Sequence, residues 1–326
     1  MGKEHVLVTG ATGFVGAALV QRLLEDKPVG EIVVAVRRYT KTFPTGVKQA
    51  MMGDLLEEFD WQSALKDVSA VVHCAARVHV EGDKAADPLA AFRAVNVQGT
   101  LTLARQAAAT GVRRFVFISS IGVNGAETVQ KLFFAQDRVA PHSAYAVSKY
   151  EAELGLQALA ADTGMEVVII RPPLVYGSGA PGNFGSLMRW LKRGVPLPLG
   201  AIHNQRSLVA LDNLVDLIVT CITHPAAANQ TFLVSDGEDV STTELLRRMG
   251  QAMGRPARLI PVPAGLLKRV AALVGKPDVA QRLCGSLQVD IEKTRRLLGW
   301  TPPISLDEGL RRAAGGFINP GAHDRL

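Results

Sequence analysis

Apolar residues fall into two rhythms along this chain. Short runs such as Val6-Leu7-Val8, Ile32-Val33-Val34-Ala35-Val36, Ala70-Val71-Val72, Phe115-Val116-Phe117-Ile118 and Val167-Val168-Ile169-Ile170 carry no polar alternation. Between them apolar residues recur every three or four positions, as at Leu19, Val20, Leu23 and Leu24. A continuous apolar run suits a strand buried on both faces, and the wider spacing suits a helix laid across it. The pattern predicts an α/β fold with a doubly wound parallel sheet. Its strands start at Val6, Glu31, shortly before Met51, and at Ala70, Arg114 and Val167. Pro172, which has no N–H to give, stops the last of them. Helices are expected around Leu19, after Asn96, at Tyr145 to Lys149 and from Glu151 to about Asp162.

At Ser178 the composition turns toward Gly and Pro (Gly179, Pro181, Gly182, Gly185), which marks the start of a smaller lobe. Within it Ser241-Thr242-Thr243-Glu244 reads as a capping box that opens a helix from Leu245 to Met253. Gly299 reads as a helix C-cap. The expected division is a first domain over 1–175 and a lobe over 176–316, with about 205–222 returning to the first domain and 317–326 a tail.

The turn after the first run is Thr9-Gly10-Ala11-Thr12-Gly13-Phe14-Val15-Gly16. Glycines at three-residue spacing let backbone approach backbone, and the helix that follows presents uncapped N–H groups with the positive end of its dipole. That is a cradle for a pyrophosphate. About 20 positions past such a turn, a dinucleotide-binding unit meets the adenine ribose. Here Arg37 and Arg38 stand at the end of the second strand, with Lys41 close behind, and the nearby carboxylate, Glu31, precedes the strand. Guanidinium forks suit a 2′-phosphate, so NADP(H) is favoured and NAD is the alternative. The small residues Ala75 and Ala76, at the exit of the fourth strand, let a cofactor lie against the backbone. His73 reads as a satisfied structural histidine.

The global numbers bound these readings. A length of 326 residues gives room for roughly two domains, and 48% apolar with 20% charged residues is an ordinary globular balance. The formal charge of +6 suits phosphate-bearing ligands, but the basic residues are dispersed and no nucleic-acid arm is formed. Cys74, Cys221 and Cys284 are odd in number and in no metal spacing, so free thiols in a reducing cytoplasm are expected and no metal. The first strand begins so early that no signal peptide is expected. The stretch Pro261 to Gly275 is broken by Lys268 and Arg269 and is too short to span a bilayer, so no membrane insertion is expected.

The chemistry gathers after the fifth strand. Ser119 and Ser120 end it, and Tyr145 and Lys149 follow four apart, on one face of a helix. A phenol with a pKa near 10 is a poor base at neutrality. Bringing it down by about three pH units requires about 4 kcal/mol, which a neighbouring ammonium and a positive nicotinamide are expected to supply together. Ser120 would hydrogen-bond the reacting oxygen and Tyr145 would pass a proton to or from it.

These stretches, nearly end to end, resemble the extended short-chain dehydrogenase/reductase family in its nucleotide-sugar epimerase and 4-ketoreductase branch. The glycine turn matches its T-G-x-x-G-x-x-G, and Gly53-Asp54-Leu55 its G-D-L. Ser120-Ile121-Gly122-Val123-Asn124-Gly125 matches S-x-x-V-Y-G with Asn124 in place of Tyr, and Arg171 to Gly177 matches R-P-x-x-V-Y-G. Arg206 to Leu214, and Asp290 to Pro302 with Leu298-Gly299-Trp300, resemble its C-terminal blocks.

The resemblance implies a Rossmann sheet and catalysis by Ser120, Tyr145 and Lys149. Gly10, Thr12, Gly13, Phe14 and Val15 would bind the cofactor, with Asp54 and Leu55 at the adenine and Pro172 and Val175 about the nicotinamide. Asn96 would be a structural and proton-relay residue. Asn124, Asn183, Arg206 and Ser286 would face the substrate, Arg206 at its diphosphate. Ser286 and Leu287 replace a bulky gating Tyr, which suggests an acetamido sugar. The substrate implied is a UDP-sugar acted on at C4, in a homodimer joined through the helices around the Ser-Ser strand. The arginines favour NADPH-dependent reduction of a UDP-2-acetamido-2,6-dideoxy-4-hexulose in surface-polysaccharide biosynthesis. The alternative is a UDP-GlcNAc or UDP-glucose 4-epimerase with tightly bound NAD. Redox-sensing regulators of this fold, a more remote alternative, typically lack the Tyr-Lys pair retained here.

Overall fold

The computed structural model describes residues 4–40, 43–52, 59–78 and 87–318. They form a seven-stranded parallel sheet with strand order β3-β2-β1-β4-β5-β6-β9. Its strands are β1 (Val6–Thr9), β2 (Ile32–Val36), β3 (Val47–Met51), β4 (Ala70–His73), β5 (Arg114–Ile118), β6 (Glu166–Arg171) and β9 (Thr231–Leu233). The register sets Val6 opposite both Ile32 and Ala70, and Thr9 opposite both Ala35 and His73, so the three central strands finish level. Strand order reverses at β1, and in an open α/β sheet that reversal leaves a crevice beyond the carboxyl ends of the strands.

The apolar runs are buried on both faces, as their lack of alternation predicts. Val6 and Val8 pack into one layer with Leu19, Leu23, Leu214 and Ile218. Leu7 points to the other side, among Trp61, Leu103, Phe115 and Leu156. The first layer is covered by α1 (Phe14–Asp26) and by α7 (Leu211–Thr223). Arg22 of α1 reaches Asp216 of α7 at 3.0 Å, and the indole N–H of Trp300 donates to the same carboxylate at 2.9 Å. The second layer holds α2 (Gln62–Leu65), α3 (Pro88–Arg93), α4 (Thr100–Ala109) and α5 (Ala144–Thr163).

The Tyr145–Lys149 and Glu151–Asp162 segments are one continuous helix, α5, of 20 residues. Ser143 caps it by accepting a hydrogen bond from the Ala146 N–H at 3.2 Å, and Gly164 ends it at φ 75°. Before α4 the chain makes a π-helical turn, Ala94–Gly99, which contains Asn96.

The remaining helices are α6 (Gly182–Lys192), α8 (Thr242–Ala252), α9 (Ala264–Leu273), α10 (Pro277–Cys284), α11 (Glu292–Leu298) and α12 (Leu306–Ile318). A three-stranded sheet of β7 (Leu174–Tyr176), β8 (Arg206–Ala210) and β10 (Asp239–Val240) lies with them, in the order β10-β8-β7. Its core gathers Phe184, Leu187, Met188, Leu246 and Leu310. The Tyr176 hydroxyl bonds Asp236 at 2.7 Å, and that carboxylate also accepts from the Ala210 N–H and the Asn213 amide. One buried acid thereby ties β7, β8 and α7 together. Ser241 accepts from the Glu244 N–H at 3.0 Å, which is one limb of the expected capping box, and Gly299 caps α11 at φ 61°.

Candidate active site

Two glycines shape the turn between β1 and α1. Gly10 has φ +67°, and a Cβ there would lie 2.6 Å from the Ala75 N. A Cβ on Gly16 would lie 2.2 Å from the Gly10 carbonyl oxygen. The turn therefore sits flush against the exit of β4, and the helix start is drawn tight behind it. Gly13 is the N-cap residue and offers no side chain to the helix, whose first turn carries no acidic residue. Thr12 and Gly13 are exposed, and Phe14 and Val15 half-buried, at the mouth of this cradle. Phe14 also packs against the apolar cluster that contains Tyr176, Phe184 and Leu187. Arg37 and Arg38 stand exposed just past the end of β2, and Ala75 and Ala76 are half-buried just past β4. Asp54, Leu55 and Lys41 lie outside the described residues. A backbone-lined hollow that any Cβ would fill, with helix N–H groups at its floor, fits a dinucleotide.

Ser120, Tyr145 and Lys149 come from the end of β5 and the start of α5. A side chain at Gly122 would meet Ser120 Oγ and Ala146 Cβ each at 3.3 Å, so the turn after β5 carries Ser120 against the first turn of α5. Ser120 Oγ accepts from the Gly122 N–H at 3.1 Å and remains partly accessible. Tyr145 packs edge-on to Phe92 of α3, with ring centroids 5.9 Å apart. Lys149, 2% exposed, donates to the Ile118 carbonyl at 2.8 Å and sits over the Phe117 ring. Burial pushes the Lys149 ammonium down to about 8, against the pull of Cys74 and Glu153. Burial likewise pushes the Tyr145 phenol up to about 12. The expected lowering of the phenol rests on the ammonium together with the positive nicotinamide of a bound dinucleotide; the protein's own groups by themselves leave it raised. In the folded chain that ammonium is committed to a carbonyl while the half-buried phenol packs against the apolar Phe92 ring, and desolvation dominates.

Adjacent serines on an extended strand point to opposite sides, and the two here have different partners. Ser119 is buried and donates to Glu153 Oε1 at 2.5 Å. Glu153, one helical turn past Lys149, is gripped in two-pronged fashion by Arg171, whose Nε and Nη2 donate to its two oxygens at 2.9 and 2.5 Å. Arg171 also donates to Asn124 Oδ1 at 3.0 Å, and the Asn124 amide donates to the Phe134 carbonyl at 2.9 Å. Asn124 is thus a buried bracket within this network, and its 2% exposure corrects the expectation that it faces the substrate. Glu153 and Arg171 were missed as a pair. The available signal was Glu153 lying four residues after Lys149, on the buried face of an Ala/Leu-rich helix.

A second network holds the opposite wall. Asn96 accepts from the Arg77 N–H at 2.8 Å and donates to the Arg77 carbonyl and to Ser148 Oγ. The π-helical turn places it there, fastening the chain after β4 to the residue beside Lys149. His73 bonds Thr9 at 2.8 Å and Thr100 at 3.0 Å through its two ring nitrogens, and burial pushes its pKa down to about 3. It is a neutral, satisfied structural histidine, as its sequence context indicates.

On the substrate side, Arg206 and Ser286 are brought together. Arg206 donates to the Arg282 and Gly285 carbonyls at 2.9 and 3.1 Å, and Ser286 accepts from the Gln205 N–H. Ser286 lines a cavity of about 560 Å³ with Ile202, His203, Asn204 and Cys284. Asn183 is exposed on the first turn of α6, Pro172 is buried with its carbonyl bonded to the Ile121 N–H, and Val175 is half-buried on β7.

A Rossmann strand order, a glycine cradle, a Ser just past the fifth strand and a Tyr-Lys pair on the helix that follows together define a nicotinamide-dependent enzyme of the short-chain dehydrogenase/reductase type. More particularly, residues 6–235 match the NAD dependent epimerase/dehydratase family, and the chain belongs to it. A UDP-glucose 4-epimerase from Vibrio cholerae is 50% identical over 317 residues, covering 97% of this chain and 96% of that protein. The N-acetyl-α-D-glucosaminyl-diphospho-ditrans,octacis-undecaprenol 4-epimerase of Escherichia coli O157:H7 is 26% identical over 95% of this chain and 94% of its own length. Among solved structures, UDP-glucose 4-epimerase from Thermotoga maritima with UDP-glucose has a TM-score of 0.78 at 22% identity, covering 97% of this chain and 99% of that one. UDP-glucuronic acid 4-epimerase from Bacillus cereus in complex with NAD has a TM-score of 0.77 at 20% identity, covering 99% of each chain.

Proposed function

We propose that this protein is a nucleotide-sugar 4-epimerase, which oxidises a UDP-hexose at C4 and restores the hydrogen on the other face of the ring. What carries the reading is the 50% identity, over nearly the whole chain, to a UDP-glucose 4-epimerase. That likeness favours epimerisation over the reduction of a 4-keto sugar, which the arginines after β2 would suggest by themselves.

The dinucleotide, when bound, supplies the hydride acceptor and donor at C4 together with a positively charged ring. Tyr145 takes the proton from the 4-hydroxyl and later returns it, and Ser120 holds that oxygen by a hydrogen bond. Lys149 contributes the chain's own positive charge, one helical turn from the phenol. Because burial holds Tyr145 near 12 rather than its ordinary 10, positive charge in the cleft has more to overcome than the sequence implies. Arg206, whose guanidinium is pushed down by burial, suits the substrate's diphosphate, and Ser286 at the cavity wall suits its sugar. Arg37 and Arg38 support a 2′-phosphate and hence NADP(H) in place of the NAD bound by the B. cereus structure. A homodimer formed through α4 and α5 is the assembly that the family resemblance implies for this reading.

The test is incubation of the pure enzyme with UDP-glucose and, separately, with UDP-GlcNAc, following the anomeric proton by NMR. Interconversion with the corresponding galacto sugar, without added reductant, is the expected result. Absence of interconversion, with NADPH consumed stoichiometrically on a 4-keto sugar, would instead establish the reductase.

A further inference from the structure

Helix α9 is unusual among the elements of the second lobe, because none of its residues is buried. It nonetheless carries Leu266, Val270 and Leu273, with Val274 just after it, at 52%, 49%, 87% and 64% exposure. Positions spaced by four, three and one fall on one face of a helix, so these four side chains make a single outward apolar stripe. The adjacent face, Leu267 and Ala271, lines an apolar groove of about 360 Å³ with Trp190, Val195, Leu197 and Leu283. Trp190 and Val195 are themselves 39% and 41% exposed on the groove's rim. The surrounding sequence is predominantly basic. From Arg255 to Arg282 the chain carries six basic residues (Arg255, Arg258, Lys268, Arg269, Lys276, Arg282) against one acidic residue, Asp278.

We propose that α9, with Trp190 and Val195 beside it, seats this protein on the surface of an anionic lipid bilayer. The stripe would enter the boundary between headgroups and acyl chains, with Arg269 at its edge and Lys276 just past the helix set against lipid phosphates. A helix of ten residues is about 15 Å long, half of the roughly 30 Å hydrocarbon core, so α9 lies on the membrane and does not cross it. Charge selects the occupant. A second copy of the chain, related by a two-fold axis, would bring the same basic flank against itself, whereas anionic lipid complements both the stripe and its rim. The exposed aromatic at the edge is the residue type that favours the headgroup level. The groove shares Cys284 with the cavity that Ser286 lines, so the docked face is the one beside the candidate substrate site. The inference is independent of whether the enzyme epimerises or reduces.

The test is co-sedimentation of the full-length protein with vesicles of pure phosphatidylcholine and with vesicles containing about one-third phosphatidylglycerol. Binding to the anionic vesicles is expected, stronger by about ten-fold or more than to the neutral ones and weakened by added salt. Leu273→Glu and Arg269→Glu/Lys276→Glu should each weaken it by about ten-fold, with thermal unfolding and cofactor affinity unchanged. No sedimentation with anionic vesicles at low salt would overturn the proposal, as would equal sedimentation of wild type and Leu273→Glu. Sedimentation velocity supplies the remaining contrast. A dimer that Leu273→Glu dissociates would assign the stripe to a second copy and likewise refute membrane docking.

Discussion

Replacing Lys149 by Met should make the pH dependence of stability visibly flatter, and the structure says by how much. Lys149 is 2% exposed, and its ammonium is pushed from the ordinary lysine value of 10.5 to about 8. The unfolded chain therefore binds the proton more tightly than the folded one, and stability rises with pH wherever the two differ in occupancy. Below about 8 both states are protonated and the folded state bears the full penalty of a desolvated ammonium. Between about 8 and 10.5 that penalty fades, and above 10.5 it is gone. The gap of about 2.5 pH units corresponds to about 3 kcal/mol, of which about 2.5 is recovered between pH 7 and pH 10. Lys149→Met carries no such proton, so the difference in unfolding free energy between wild type and variant should change by about 2.5 kcal/mol across that range. The variant should be the more favoured relative to wild type at pH 7. Its loss of the bond to the Ile118 carbonyl, worth about 1 kcal/mol, is the same at both pH values and cancels from the comparison. Urea unfolding at pH 7 and pH 10, read from the fluorescence of the buried Trp61 and Trp300, supplies the numbers. A wild-type-minus-variant difference that stays constant to within about 0.5 kcal/mol would mean that the folded chain does not desolvate this ammonium.

Tyr145→Phe should lower turnover by about 10² to 10⁴ while leaving the dissociation constant of the dinucleotide nearly unchanged, and turnover close to wild type would remove the phenol from its role. Arg37→Asp should cost NADP affinity about ten-fold or more and spare NAD; a wild type that already prefers NAD contradicts the reading of the arginines. Glu153→Leu leaves the Arg171 guanidinium buried and unpaired and should destabilise by about 3–5 kcal/mol, whereas Glu153→Leu with Arg171→Met should recover most of that loss in the same urea assay. If the double variant is no more stable than the single one, the ion pair is not what the site rests on.

The parallel sheet was readable because its signal is local. Val6 to Val8 and Val167 to Ile170 are apolar at every position, and buried strands require that. The glycine turn was readable for a similar reason, since Gly10 and Gly16 occupy places where a Cβ has no room. The three-stranded sheet of β7, β8 and β10 was not, because its strands are two to five residues long and come from 174–176, 206–210 and 239–240. No pattern within three residues announces a partner thirty positions away. Asn124 was misread for a different reason. Its place in the motif suggested the pocket, while its actual partners, Arg171 and the Phe134 carbonyl, are brought to it only by the tertiary fold.

Glu153 shows why the structural and catalytic groups of this site cannot be separated. Its carboxylate serves Arg171 and Ser119 directly, yet it also pulls the Lys149 ammonium upward, against burial. Near pH 7, a lysine held at about 8 is still protonated in roughly ten molecules of every eleven, and so remains a cation beside Tyr145. Cys74 and Glu153 both pull the ammonium upward, so removing Glu153 would let burial carry it further down. The pair beneath the site thus does two things at once. It fastens β5, α5 and β6 where Ser120 and Lys149 emerge, and with Cys74 it opposes the effect of burial on the Lys149 ammonium, the cation of the proposed mechanism. The neighbouring serine that binds Glu153 is spent on that anchoring, which leaves Ser120 as the hydroxyl that can face a substrate.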